Sequence, residues 1–499
     1  MAHTTVVSAP GKVLISGGYL VLDPKYSGTV VSTSSRFYTV VRDDTSAGAN
    51  RIRVRSPQFS NATWEYAVST TATEVLVEEL PTNTSKNKFV HLALQNTLAL
   101  AAEIKGIASV SEALAQGIDI GIVGDNDFYS QREKLASLNL PRTLDSLHQI
   151  PPFTPTGVPL SQVHKTGLGS SAALITSLVS ALLLHFSTIP ASSLSSPSRS
   201  DGRLLAHNLA QYVHCFAQGK VGSGFDVSAA VFGSHIYTRF DPAVLHGLMN
   251  HEALRSQPLN AVLAPTNKTW DYVVKPFKLP PLTRLMLADV DAGSDTPSLV
   301  GKVLKWRNEN PEEALALWTS VDKLNTRLAQ TLVDLSKLYD EDQENYTTAV
   351  KYIASLQSIQ WHANPFQPEA ERPIISKFYE AHEVSQAIRA EMRKMGDLAG
   401  VPIEPKEQTQ LLDACISLAG IIGGGVPGAG GYDAIWLLVC DPVDASPDVR
   451  PLERVQQTWS EYKDLDVSPL SCVESLAGGA RVESLDAIPG LKEATTISG

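Results

Sequence analysis

Apolar and polar positions divide this chain into two unlike halves. In the first ~40 residues, β-branched runs at Thr5–Ala9, Lys12–Ser16 and Thr29–Val41 predict strands. Breaks are expected at Pro10-Gly11 and Gly17-Gly18, and a further strand at Arg51–Ser56. Helical spacing predicts helices over Phe89–Lys105, with Gly106 as the stop, and over Arg203 to Gln218. Between them, Gly124 to Pro159 mixes charge and proline and reads as a loop-rich insertion. After residue 260 the pattern turns helical. Arg284–Val290 predicts a strand that enters the polar turn Asp291–Ser298, with a helix beginning near Leu299. Long helices are expected over Glu312–Lys337, Asn345–Gln360 and Ile374–Leu398. A glycine-rich turn and a buried strand at Asp433–Cys440 follow. The expectation is an α+β chain with no internal repeat and two domains, 1–260 and 261–499.

One segment departs from ordinary patterning. Lys165 to Leu174 reads KTGLGSSAAL and opens directly into the apolar run Ala172–Phe186. Gly167 and Gly169 allow sharp backbone turning and close approach of a ligand. A helix starting at Ser170 or Ser171 would aim free N–H groups and its positive dipole end at an anion. Lys165 adds a point charge, and the serine hydroxyls can bind phosphate oxygens or Mg²⁺. The bland reading is a Gly-Ser turn capping a core helix. The common phosphate motifs are absent: there is no G-x-x-x-x-G-K-[ST]. Gly423, Gly425 and Gly428 form a formal G-x-G-x-x-G, but it follows a helical pattern and contains Pro427, so it lacks dinucleotide-binding context.

Composition narrows the classes. The 499 residues are 43% hydrophobic and 19% charged, which is globular. A net charge of −11 disfavours a general binder of nucleic acid or anionic membrane, yet leaves room for a local cationic pocket. Cys215, Cys415, Cys440 and Cys472 show no metal spacing and read as reduced thiols of a cytoplasmic protein. The N-terminus shows no charged-then-apolar signal pattern, and Ala172–Phe186 is too short to span a bilayer.

Three further motifs turn the isolated loop into a constellation. Ala9–Asp23 (APGKVLISGGYLVLD) puts Lys12 at a strand start beside a Pro-Gly turn. Gly219–Gly233 (GKVGSGFDVSAAVFG) puts Asp226 where a short apolar helix begins, a position at which Asp also serves as a plain cap. Gly423–Leu438 (GGGVPGAGGYDAIWLL) permits close backbone approach to a ligand, or a tight turn before a buried strand. Together these segments resemble the GHMP kinase superfamily: PGKVLISGGY its first motif, KTGLGSSAA its phosphate loop, GVPGAGGYDA its third motif. The wording is similar to the eukaryotic, fungal-type phosphomevalonate kinase branch. That resemblance implies a ribosomal-protein-S5-like first domain and a ferredoxin-like second domain, with ATP and substrate in the cleft between them. It also implies phosphorylation of (R)-5-phosphomevalonate to the 5-diphosphate, as monomer or homodimer, without nucleic acid or membrane insertion.

The resemblance assigns residues as well. Lys12, Lys165 and Asp226 become catalytic candidates. Gly167, Leu168, Gly169, Ser170, Ser171 and Ala172 would hold ATP, with Ser171 on Mg²⁺. Ser16, Lys220, Ser223, Ser294, Thr296, Gly428, Ala429 and Gly430 are candidates for substrate. Mevalonate kinases place a Glu upstream of the catalytic Asp to hold Mg²⁺. Here that stretch carries His214 and Cys215, and His214 reads as a helix-face or core histidine. Asp226 stays open between a base and an orienting group, because a phosphate acceptor with a second pKa of about 6 is already anionic. A kinase with another acceptor, such as mevalonate, and a non-catalytic sensor of this fold are the competing readings.

Overall fold

The structure is a computed structural model and describes residues 3–195, 199–249, 258–290, 296–364, 367–442 and 450–496. Strands β1 (Thr4–Ser16), β2 (Ser27–Asp43), β3 (Arg51–Arg55), β4 (Thr63–Thr70), β5 (Val75–Glu79), β6 (Ile118–Gly124), β7 (His235–Thr238) and β8 (Val273–Pro276) build a first sheet. Its pairings are antiparallel apart from β3 on β6. A second sheet contains β9 (Thr283–Val290), β10 (Ile421–Gly425), β11 (Ala434–Cys440) and β12 (Val467–Leu470), in the order β10-β11-β9-β12. A short strand β13 (Arg481–Val482) returns to pair with β1.

The helix Ser170–His185 packs against β1 and β2 and is buried nearly all round, as its near-continuous apolar sequence requires. Helices Lys88–Lys105 and Asp201–Gln218 flank it. In the second half, Pro311–Glu341 and Arg372–Ala399 pair lengthwise, and the latter lies against β10.

Several expectations are corrected. Pro10-Gly11 does not break the first strand. β1 runs through it with a register shift between Pro10 and Lys12, a bulge. A Cβ on Gly11 would lie 2.8 Å from Thr33 Oγ1 and 3.0 Å from the Leu168 carbonyl, so the strand passes tightly against the phosphate loop. β4 and β5 went unassigned, although the alternating burial of Trp64, Tyr66 and Val68 matches their sequence pattern. The expected helix to Gln360 stops at Ala354.

Gly423–Gly425 form the body of β10 instead of a turn. A Cβ on Gly423 would meet Ser385 Oγ at 2.5 Å, and one on Gly424 would meet Leu437 Cδ2 at 2.5 Å. These glycines let a helix and a neighbouring strand close on β10.

Two segments placed beyond residue 260 also lie on the first sheet: β8, through β7, and the tail carrying β13. Side chains hold that tail down. Ser471 donates its N–H and hydroxyl to Asp127, both at 2.8 Å, and Arg36 donates to the Gly479 carbonyl at 2.6 Å.

Candidate active site

The phosphate loop is anchored before it turns. Thr166 donates its hydroxyl to the Asp127 carbonyl and its N–H to Phe128 O. Gly167 and Gly169 then take φ of 80° and 79°, a region where side chains are strained. The helix Ser170–His185 starts at once, and no side chain among the described residues caps it. Its first N–H groups therefore stay available to a ligand.

The bulge in β1 gives Lys12 its place. Its N–H leaves the ladder and donates to Leu168 O at 2.9 Å, while Nζ donates to Gly167 O at 2.8 Å. The ammonium also lies 5.4 Å from the Phe225 ring centroid, within cation–π range. Burial lowers the Lys12 pKa, with the Asp226 charge acting against that fall. Lys165 forms a β-bridge with Tyr129, and desolvation lowers its pKa too.

Asp226 sits in the first turn of the helix Phe225–Phe232, and its Oδ1 accepts from the Val227 N–H at 2.9 Å. His214 is buried, as a core histidine would be, yet its ring faces the site. Nε2 lies 3.1 Å from Ser171 Oγ and 3.8 Å from Asp226 Oδ2. Burial pushes the neighbouring Cys215 thiol up to about 11, which keeps it protonated.

These groups line one cleft of about 530 Å³. Lys12, Lys165, Lys220 and Arg239 face it against the carboxylates of Asp226 and Asp433, a local positive excess in an acidic chain. Gly167 to Ser171 form its floor. Lys220 and Ser223 border it on a turn fixed by the Tyr237 hydroxyl, which donates to Ser223 O at 2.9 Å. Gly428, Ala429 and Gly430 line the facing wall, where Tyr19 donates to Ala429 O at 2.7 Å. A Cβ on Gly430 would fall 2.1 Å from Ile403 O, so only glycine fits.

Not every expected residue arrives. Ser16 follows a second register shift in β1, and its buried hydroxyl lies off the cleft lining with no partner among the described residues. Ser294 lies outside the described residues. Thr296 begins the helix Thr296–Glu309, and its side chain is likewise outside them. That helix lends Val300 and Leu304 to the wall. The sequence reading gave His214 only a helix-face or core role and did not single out Arg239. The latter donates to the Leu22 and Val221 carbonyls, tying the first motif to the Lys220 turn. The spacing of His214 and Gln218, one helical turn apart on the Asp226 side of the cleft, was the available signal for the histidine. Arg239 had none.

The lining suits a triphosphate. Two positive-φ glycines lead to an uncapped helix start, with a lysine docked on the loop. Among the described residues no cluster of three or more His, Cys, Asp or Glu could cage a metal. Ser171 and Asp226 do offer oxygens beside the loop, and that donor set fits a Mg²⁺ arriving on phosphates with few protein ligands.

No protein-family model matches the chain. Individual proteins do. The peroxisomal phosphomevalonate kinase of Arabidopsis thaliana is 40% identical over 487 residues, spanning 92% of this chain and 93% of its own length. The phosphomevalonate kinase of Aspergillus fumigatus is 36% identical over 501 residues, spanning 93% and 92%. The chain belongs to the phosphomevalonate kinase family. Solved structures agree on the fold. A Lin0012 protein from Listeria innocua superposes with a TM-score of 0.63 at 15% identity, covering 97% of this chain and all of that one. Streptococcus pneumoniae phosphomevalonate kinase, in complex with phosphomevalonate and AMPPNP, gives 0.54 at 16% identity, covering 96% and 99%. This phosphomevalonate kinase homologue therefore has the α+β GHMP kinase fold. Among the described residues no helix is long and apolar enough to cross a membrane.

Proposed function

We propose that this chain transfers the terminal phosphoryl group of ATP to the phosphate of (R)-5-phosphomevalonate, giving (R)-5-diphosphomevalonate and ADP in the mevalonate pathway to isoprenoids and sterols. The observation that carries this reading is the convergence of the phosphate loop with Lys12, Lys165 and Lys220 in one cleft, in a chain of this family.

ATP phosphates lie on the main-chain N–H groups of Gly167–Ala172, and the helix dipole favours their charge. The Ser171 hydroxyl oxygen would hold a Mg²⁺ brought by the nucleotide, and that ion would supply charge neutralisation at the phosphates. An acceptor phosphate oxygen attacks the terminal phosphorus, and the bond to the bridging oxygen breaks to release ADP. Such transfer needs positioning and neutralisation more than covalent help. Lys12 suits that task because Gly167 O already holds its ammonium in place. Lys165, which also lines the cleft, adds a second charge beside the loop. Lys220 and Ser223 offer donors to the acceptor phosphate, and the Gly428–Gly430 backbone allows the substrate close approach. Asp226 orients the acceptor and Lys12. Buried Ser16 is given no role.

A coupled ADP-release assay with phosphomevalonate, mevalonate, galactose and homoserine in parallel tests the assignment. Release with phosphomevalonate alone is expected. Preference for mevalonate would move the chain to another acceptor, and no release with any substrate would make it a sensor. We place the enzyme in the cytoplasm, on the strength of four buried free thiols. The Arabidopsis relative is named peroxisomal, so cell fractionation decides.

A further inference from the structure

One polar group at the heart of the cleft has no part in the mechanism above. His214 lies in the last turn of the helix Asp201–Gln218 with its side chain 5% exposed. Its Nε2 has three neighbours: Ser171 Oγ at 3.1 Å, Gln218 Nε2 at 3.1 Å and Asp226 Oδ2 at 3.8 Å. All four residues line the cleft.

The contacts fix who donates. An amide nitrogen carries hydrogens and cannot accept, so at the Gln218 contact the ring nitrogen is the acceptor. Nε2 then presents its single in-plane lone pair, which the Ser171 hydroxyl and the Gln218 amide, each 3.1 Å away, share as donors. Asp226 is too far for a hydrogen bond to the ring, and its other oxygen is engaged by the Val227 N–H. A hydroxyl that directs its hydrogen to the imidazole turns its oxygen lone pairs elsewhere. Ser171 stands in the first turn of the helix at the phosphate loop, so those lone pairs are available to what the loop holds.

We propose that His214 is a positioning residue. It accepts the Ser171 hydrogen and thereby presents the Ser171 oxygen to the divalent cation that the nucleotide brings. Gln218, one turn along the same helix, holds the ring in the accepting state. This inference rests on the reading of the cleft as a Mg²⁺-nucleotide site.

The test is binding, not turnover. A fluorescent non-hydrolysable ATP analogue is titrated onto the full chain at a series of Mg²⁺ concentrations. His214→Leu keeps the volume and removes the acceptor, and His214→Gln restores an acceptor near the Nε2 position. His214→Leu is expected to raise the Mg²⁺ midpoint about ten-fold, the loss of the one hydrogen bond that orients the Ser171 hydroxyl, with metal-free nucleotide affinity unchanged. His214→Gln should recover most of that shift. Ser171→Ala should match His214→Leu, and the double variant should be no worse than either. A parent-like midpoint in His214→Leu, additive effects in the double variant, or a Gln variant as impaired as the Leu variant overturns the proposal. So does an equal loss of metal-free binding in both His214 variants, because that is damage to the loop. A parent chain without Mg²⁺-dependent nucleotide binding overturns the nucleotide reading itself.

Discussion

Two glycine-rich segments lead to the cleft and use glycine for opposite reasons. At Gly167 a Cβ would meet open space, and the positive φ is what excludes other residues. At Gly423 and Gly424 the backbone is ordinary strand, and the neighbours exclude a side chain: Ser385, Leu437 and the Trp436 carbonyl lie within 3 Å of where a Cβ would be. The first segment is shaped for access by a ligand. The second is shaped for close packing of the chain on itself, and only its continuation at Gly428–Gly430 reaches the cleft. Positive charge follows the same division. Lys12, Lys165 and the uncapped helix belong to the loop side, while Tyr19, Ile403 and backbone carbonyls define the other. On the function proposed above, the chemistry belongs to the loop wall and the fit to the other.

The strongest test of that division is Lys12→Ala. If the loop side carries the chemistry, this change lowers kcat by roughly 10²–10³-fold, the usual loss for one preorganised donor, with ATP affinity little altered. Single-turnover rates and nucleotide binding measured together separate the two effects. Near-parent turnover would make Lys12 a structural residue. Gly424→Ala addresses the other wall. The new Cβ meets the Trp436 carbonyl at 2.7 Å, which is backbone and cannot step aside. Overpacking of this kind costs about 2 kcal/mol, read as a lower denaturation midpoint, with kcat of the folded fraction unchanged. A variant of parent stability and reduced kcat would put β10 among the ligand-contacting segments.

Much of this was legible in the chain, for reasons that also mark where legibility ends. β-branched runs and helical spacing located β1, β2, β9 and β11 and the long helices, because burial imposes those periods directly. Lys165, Gly167, Gly169 and Ser171 stood out because a cation, two glycines and a serine pair fall in one short stretch. The bulge at Lys12 did not, since it arises where Gly11 presses on Thr33 and Leu168, residues distant in sequence. The same holds for His214 and Arg239. His214 sits on a helix and Arg239 just past the end of β7, and each takes its meaning from a partner that only the fold supplies: Ser171 for one, Leu22 and Val221 for the other. Ser16 misled because a register shift intervenes before it. The triple glycine misled because composition does not distinguish open space from crowding.

Gly167→Ala sharpens the contrast from the loop side. With no steric obstacle, it should cost only about 1 kcal/mol of stability, the penalty of a left-handed conformation. Nucleotide affinity should fall about ten-fold as the loop's N–H groups lose alignment. Thermal melts and nucleotide titration on Gly167→Ala and Gly424→Ala then give mirror-image results. Equal stability losses with unchanged affinity in both would erase the distinction between the walls.

The smallest effect is expected at Asp226, whose charge acts on Lys12. A general base contributes about 10²–10⁴-fold where a proton must be removed. Here the acceptor is a phosphate monoester that loses its second proton near pH 6 on its own. Asp226→Asn should therefore lower kcat by less than about ten-fold, below that general-base range. The pH profile has two informative limbs. Below about pH 6 the monoester retains its proton and attacks poorly, so the rate should rise through that region in parent and variant alike. At the alkaline end the signal is Lys12. The Asp226 charge raises the Lys12 pKa against the larger effect of burial, so its removal lets that pKa fall further. Loss of activity with rising pH should begin at lower pH in Asp226→Asn than in the parent. If the variant binds both substrates normally yet loses 10²-fold or more, Asp226 is a base after all. An alkaline limb that does not move would separate Asp226 from Lys12, and a missing limb near pH 6 would remove the phosphate acceptor from the assignment.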